Sequence, residues 1–443
     1  MRYLQDKIVV ITGAGFSAPA NLPVQDKILK EMTEINTQDF LNAQSVKESV
    51  KFLIAYIQVS IYLLKEYTNV NVDRYADEYN EIDLKYHSND RVLKVIEYIS
   101  INYSVKAEKQ NFNLMDALND AIDKYYLKDS DYYIGLLALK EKLRDQLHLS
   151  NIQISLEDVF TMFDKCIARK ENTRDYTYEE IDKLQHAILR LFTYYFSNKV
   201  TEHDYKKTDY LEMVKYVKNH INHITVITTN WDILLEEYFR CNKVNYDYRF
   251  NSSYVLYTDG KLYNQTSGKR NNIPYLKIHG SINWFRCLKC GTLQVHDSNT
   301  CGKYLFEDNV QEKCLQCGQT ANGDSVQIKP EIITPTMIKD INSQLYNNLW
   351  QNAAYALQQA DKIIFCGYSL PMADYEFRYM LKQNIHKKTT MDIVLYHNDD
   401  PKRCSNSIML YSFPETRYKD LFPNNNCNFF YEGFGNYFKI LNS

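Results

Sequence analysis

The chain has 443 residues, 45% apolar and 24% charged, with a net charge of -3; it is too long for one simple core and carries no apolar run of bilayer-spanning length. Its mild negative charge supplies no general attraction to nucleic acid, whose binding leaves a basic footprint. Ten cysteines in a long chain without an export signal point to metal binding or burial rather than a disulfide framework, and the cytoplasm is the expected compartment.

Residues 7–12 are apolar and lead straight into Gly13-Ala14-Gly15, which reads as a buried strand ending in a tight turn. From about residue 29 to residue 149 glycine and proline almost vanish. Apolar residues there recur at helical spacing, as over 50–64 and 136–147, so a helical insertion is expected that completes the core, covers a ligand or mediates assembly. Further short strands rich in Ile and Val are expected at 223–228, 275–278, 331–334, 362–366 and 392–396, with helices at 209–219 and 343–360. The Gly-, Ser- and Asn-containing tract 258–272 is expected to be a mobile loop. This alternation predicts an α/β fold, a doubly wound, largely parallel sheet with helices on both faces. In such sheets ligands bind outside the carboxyl ends of the strands, and residues 13–17, 229–232, 279–281 and 367–369 each follow a strand. Motifs scattered along the chain are therefore expected to converge.

Gly13-Ala14-Gly15-Phe16-Ser17-Ala18 fits the turn G-x-G-x-x-G/A, in which small residues let backbone amides approach a pyrophosphate near a helix N-terminus. An empty tight turn has the same pattern. Cys287-x2-Cys290 and Cys314-x2-Cys317, each pair followed by a glycine, have the spacing of a tetrahedral zinc site. Four thiolates leave no open coordination position, so the metal is expected to be structural. Cys301 has no paired partner and reads as a spare; Cys166, Cys241, Cys366, Cys404 and Cys427 read as plain thiols.

Two further motifs are Thr228-Thr229-Asn230-Trp231-Asp232 and Lys277-Ile278-His279-Gly280-Ser281-Ile282-Asn283-Trp284, and a last one is Gly367-Tyr368-Ser369-Leu370. Glycine turn, T-x-N-x-D, His-Gly, four cysteines and G-x-S-L, in that order, resemble the sirtuin family over about the first thirty residues and from about 151 to 399. The resemblance implies a Rossmann-like domain over 1–30, 150–284 and 328–443, a zinc-ribbon module over 285–327, and NAD held between them. The helical insertion over 31–149 has no counterpart. Asn230 can orient a water or the ribose hydroxyls as positive charge develops at the anomeric carbon. His279 can act as general base toward a ribose hydroxyl or a water. Asp232 either hydrogen-bonds the nicotinamide carboxamide or stabilises its loop. Gly13, Ala14, Gly15, Ser17, Thr229, Gly367 and Ser369 are expected on the phosphate and ribose side, with Asn398 near the adenosine. Residues 157–160 are either a further family feature or an ordinary helix with exposed acids.

Protein-deacylating sirtuins continue the glycine turn as G-I-P-D-F-R, whereas here residues 21–26 read Asn-Leu-Pro-Val-Gln-Asp. The aromatic and arginine that shape the nicotinamide pocket of the deacylases are absent. Trp231 and the tract 367–374 resemble instead the divergent bacterial sirtuin-like proteins of anti-phage defence. That resemblance implies an NAD+ glycohydrolase that depletes NAD in abortive infection, gated by homo-oligomerisation, a separately encoded ATPase or a phage-derived activator. The alternatives are an NAD-dependent protein deacylase and a non-catalytic sensor of NAD or ADP-ribose; the presence of both Asn230 and His279 argues for an enzyme.

Overall fold

The computed structural model describes residues 6–22, 156–172, 177–258, 261–266, 268, 272–298, 300–301, 314, 316–317, 328–334, 336, 343–396 and 413–443. The insertion expected over 31–149 and Asn398 lie outside the described residues. The chain divides into two compact units, one drawn from Met1–Val24, Phe192–Leu305 and Glu312–Ser443, the other from Gln25–Leu191 and Phe306–Gln311.

The first unit is built on a seven-stranded sheet in the order β12-β11-β10-β1-β2-β6-β3. Its members are β1 (Ile8–Thr12), β2 (Ile224–Thr228), β3 (Tyr246–Asp247), β6 (Ile273–Lys277), β10 (Lys362–Cys366), β11 (Thr390–Val394) and β12 (Asn426–Phe430). All neighbours run parallel. Central strands read IVVIT, ITVIT and KIIFC, near-continuous β-branched and apolar runs suited to burial on both faces. Every residue of β1 is buried, and Val10 stands opposite Ile364 on one side and Val226 on the other.

Strand β1 is the topological switch: the chain moves to β2 and β6 on one side and later to β10, β11 and β12 on the other. Right-handed crossovers in opposite directions put their helices on opposite faces. Accordingly α4 (Thr208–Asn219), α5 (Leu234–Cys241) and α9 (Gly433–Leu441) pack together, with Tyr210 stacked on Tyr238 at 4.7 Å and against Phe434 at 5.0 Å. A second group holds α6 (Gln344–Gln358) and α7 (Tyr375–Asn384), where Trp350 meets the edge of Phe377. Helix α8 (Pro414–Leu421) sets Tyr418 against Phe365 of β10 at 5.0 Å. The remaining α-helices among the described residues are α1 (Ala14–Ser17), α2 (Leu156–Arg169) and α3 (Tyr178–Thr201). Among the described residues no helix is long and apolar enough to cross a membrane.

A second sheet of the same unit has the order β5-β4-β8-β7-β9, with β4 (Ser253–Thr258), β5 (Lys261–Thr266), β7 (Gly280–Cys287), β8 (Leu293–His296) and β9 (Ile328–Ile332). It corrects one expectation: the tract 258–272 is not wholly a loop, because β5 pairs with β4 as an antiparallel hairpin. Polar side chains hide this strand from a hydrophobicity reading, since β5 is an exposed edge. The sheet also takes strands from outside residues 285–327. Strand β9 begins earlier than the expected 331–334 because Pro330, which argues against an interior strand, is tolerated on an edge.

In the second unit, α2 and the first part of α3 are joined by a hydrogen bond from Gln185 Nε2 to Asp164 Oδ1, 2.6 Å long, and Phe160 meets Phe163 edge to face.

Candidate functional site

The loops after β1 and β10 meet at the switch point. Gly13 N donates to Cys366 O at 3.2 Å and Gly15 N to Gly367 O at 2.9 Å. Gly367 has φ +60, and a Cβ there would lie 2.2 Å from Phe16 N; a Cβ on Gly15 would lie 2.8 Å from Gly367 O. The two glycine motifs are thus required by their contact with each other. Ala14 and Ser369 are exposed beside this contact, and the Ser369 carbonyl accepts from Arg417 Nε at 2.8 Å. Thr229 N donates to Thr12 O at 3.1 Å, tying the loop after β2 to the end of β1.

Asn230 bridges these loops. Its Nδ2 donates to Gly13 O at 2.9 Å and to Ser17 Oγ at 3.0 Å. Ser17 Oγ donates in turn to Asp232 Oδ2 at 2.8 Å, and Asp232 Oδ1 accepts from Leu234 N at 3.0 Å. Both oxygens of Asp232 are therefore engaged inside the protein, where they hold the turn that opens α5. The buried Ser17 hydroxyl likewise serves this network. Trp231 stacks on Phe192 and donates from Nε1 to Ile333 O at 3.2 Å.

His279 stands where the chain leaves the parallel sheet through β6 and enters the second sheet through β7. Gly280 makes this crossing with φ +80, and a Cβ would lie 2.1 Å from Glu331 O, which accounts for the His-Gly pair. Ile278 N donates to Thr228 O at 3.1 Å and Ile282 N to Trp231 O at 2.9 Å, so the histidine and asparagine loops are bonded on both sides of His279. The imidazole is buried. Its Nε2 lies 3.1 Å from Asp374 Oδ1, within ion-pair distance but without the alignment of a hydrogen bond. Asp374 Oδ2 accepts from Tyr368 OH at 2.7 Å.

Beneath the site, Lys277 Nζ lies 2.7 Å from Glu236 Oε1, with both side chains buried. Lys277 also donates to Asp232 O, while Glu236 accepts from Tyr275 OH at 3.1 Å and Tyr248 OH at 3.3 Å. Burial raises the Glu236 carboxyl above the ordinary range, and Lys277 opposes that shift.

The sulfur atoms of Cys287, Cys290, Cys314 and Cys317 all lie within 4.8 Å of one another, a spacing that suits one tetrahedral cation with four thiolate ligands. Burial pushes the Cys314 thiol up to about 12. Desolvation also acts to raise the Cys290 thiol, but hydrogen bonds with Thr292, Cys314 and Cys287 bring it down to about 6. Cys301 takes no part; it is buried, and its thiol contacts Ser197 Oγ at 3.1 Å.

The structure thus brings together Gly13, Gly15, Ser17, Thr229, Asn230, Asp232, His279 and Gly367, and separately the four cysteines. Sequence reading assigned no role to Asp374, Tyr368 or the Lys277–Glu236 pair. Asp374 lay in a tract noted only for its resemblance, and no local pattern signals that a residue at the start of α7 faces the end of β6. A charged pair in otherwise apolar surroundings was the available clue for Lys277 and Glu236.

The SIR2-like domain family model matches residues 224–412, which takes in Asn230, His279, the four cysteines and Gly367 and leaves out the first glycine turn. No curated protein matches the chain. Among solved structures, one from work on the mechanism and regulation of Sir2 enzymes is 16% identical, covering 57% of this chain and 73% of that chain, with a TM-score of 0.30. A mutant Sir2 homologue in complex with ADP-ribose is 14% identical over 62% of this chain and 77% of that chain, with a TM-score of 0.32. A Sir2 protein bound to a propionylated peptide is 11% identical over 98% of this chain and 91% of that chain, with a TM-score of 0.31.

Proposed function

We propose that this chain, which carries a SIR2-like domain over residues 224–412, is an NAD+ glycohydrolase that releases nicotinamide and ADP-ribose. The observation that carries the reading is the convergence of Asn230 and His279, on loops bonded to each other through Ile282 N and Trp231 O at 2.9 Å, with the glycine turn at the switch point of a parallel sheet. Dinucleotides bind at such points.

In this reading the dinucleotide lies across the ends of β1, β2, β6 and β10. Both donor positions of Asn230 are engaged by Gly13 and Ser17, which leaves Oδ1 to accept from a ribose hydroxyl or the attacking water. Departure of neutral nicotinamide leaves positive charge on the ribose, which fixed dipoles around the anomeric carbon stabilise. Water adds to that carbon, and His279 accepts the proton the water loses, either directly or relayed through a ribose hydroxyl that takes up the water's proton as it gives its own to His279. Asp232 and Ser17 hold Asn230 in register. The four cysteines would hold a structural zinc ion, which would join the turn after β7 to the segment around residues 314–317 and would supply no hydrolytic chemistry.

The departure of residues 21–26 from the deacylase pattern supports water, rather than an acyl-lysine, as the acceptor. The same reading assigns the activity to NAD depletion in anti-phage defence, with gating through self-assembly, a partner ATPase or a phage-derived trigger. It is tested by chromatographic product analysis of NAD+ incubated with the full chain and with His279→Ala, with and without an acetyl-lysine peptide. Nicotinamide and ADP-ribose formed without peptide and lost in the variant are expected. Nicotinamide release only with peptide, accompanied by O-acetyl-ADP-ribose, would make the protein a deacylase. Calorimetric binding of NAD without turnover in any assembled state would make it a sensor.

A further inference from the structure

Asp374 does not belong to any of the sequence motifs to which a role was assigned, yet it is the group that faces His279. Its side chain is 5% exposed and that of His279 is 9% exposed, with Oδ1 3.1 Å from Nε2. On its far side Tyr368 OH donates to Oδ2 at 2.7 Å, and Tyr368 is anchored by Tyr418 OH, which donates to the Tyr368 carbonyl at 2.8 Å. The Asp374 amide donates to Pro371 O at 3.1 Å and its carbonyl accepts from Arg378 N at 3.0 Å, fixing the carboxylate at the start of α7. A buried carboxylate held by a tyrosine and aimed at one ring nitrogen selects which nitrogen carries the proton. The contact lacks hydrogen-bond alignment here, and such contacts commonly tighten only when substrate is bound.

We propose that Asp374 is a positioning residue for His279: it accepts a hydrogen bond from Nε2, fixes the tautomer with the proton on Nε2, and leaves Nδ1 as the nitrogen that acts on the ribose or the water. Tyr368 holds Asp374 for this task. No bond beyond that hydrogen bond forms. The inference deepens the NAD+ glycohydrolase reading and rests on it for its kinetic consequence, but the tautomer exists with or without turnover.

The test combines nitrogen-15 NMR of the His279 ring, assigned by loss of its signals in His279→Gln, with nicotinamide release by the full chain. In the wild-type protein the ring is expected to carry its proton on Nε2. Asp374→Ala is expected to abolish that preference and to lower kcat at least tenfold while the KM for NAD+ stays within twofold. Asp374→Asn keeps an acceptor oxygen and is expected to restore the tautomer and part of kcat, which also guards against misfolding of the alanine variant. A wild-type ring protonated on Nδ1, or a folded Asp374→Ala protein with kcat within twofold of wild type, overturns the proposal. Absence of NAD+ cleavage by the wild-type chain removes the glycohydrolase reading, and the tautomer then decides the Asp374 pairing by itself.

Discussion

The amide of Gly15 and the carbonyl of Gly367 are 2.9 Å apart and hydrogen-bonded, which fastens the loop after β1 to the loop after β10 across the switch point of the sheet. Because the donor belongs to the first glycine motif and the acceptor to the last, the two ends of the domain close on each other at the place where a dinucleotide would lie.

Gly367→Ala therefore meets two penalties, a φ of +60 and a Cβ 2.2 Å from Phe16 N. A loss of about 3 kcal/mol or more is expected, together with loss of NAD binding by calorimetry. Gly291 is the internal control, since it has φ +72 but nothing within 4 Å of a Cβ. Gly291→Ala should cost only about 1 kcal/mol in the same urea titration; equal losses in the two variants would refute the close-approach argument.

Lys277→Met removes the cationic partner of Glu236, 2.7 Å away in buried surroundings. Breaking one side of a buried pair costs about 3–5 kcal/mol. The double variant Lys277→Met, Glu236→Leu should recover a large part of that loss, measured by unfolding midpoints. It should not recover nicotinamide release, because Lys277 also holds the Asp232 carbonyl two residues after Asn230.

His296 supplies a pH dependence. Burial pushes its imidazole down to about 3, between the ring of Tyr257 at 5.1 Å and the edge of Phe285 at 4.9 Å. The folded protein favours the neutral ring, whereas the unfolded chain takes up a proton near the ordinary imidazole value of 6.5. The contribution is thus fully present above that value and is lost as pH falls toward the folded value. About 2 kcal/mol should disappear between pH 6.5 and pH 5, at about 1.4 kcal/mol per unit. Denaturant titrations of wild type and His296→Gln at pH 7.5 and pH 5 should show a smaller change for the variant; parallel losses would exclude His296 as the source.

One zinc ion per chain is expected by elemental analysis of protein purified without chelator. Cys314→Ser should lower that stoichiometry to near zero and lower the melting temperature, because metal affinity at a thiolate site contributes directly to folding. Full zinc retention in both Cys314→Ser and Cys287→Ser would separate the cluster from the metal.

The sequence by itself determined the parallel sheet and its switch point, since short apolar strands buried on both faces, each ending in a small-residue or polar motif, leave few other arrangements. It also determined the pairing of the cysteines into one cluster, because C-x2-C spacing turns two thiols toward one point. Only the tertiary structure decided that 261–266 is an edge strand, that both oxygens of Asp232 are engaged within the protein, that Ser17 serves Asn230, and that Asp374 faces His279. These relationships join residues distant in the chain, through side chains whose local sequence carries no periodic signal. Hydrophobic pattern specifies which segments become buried; which polar atoms then meet depends on the packing of whole elements.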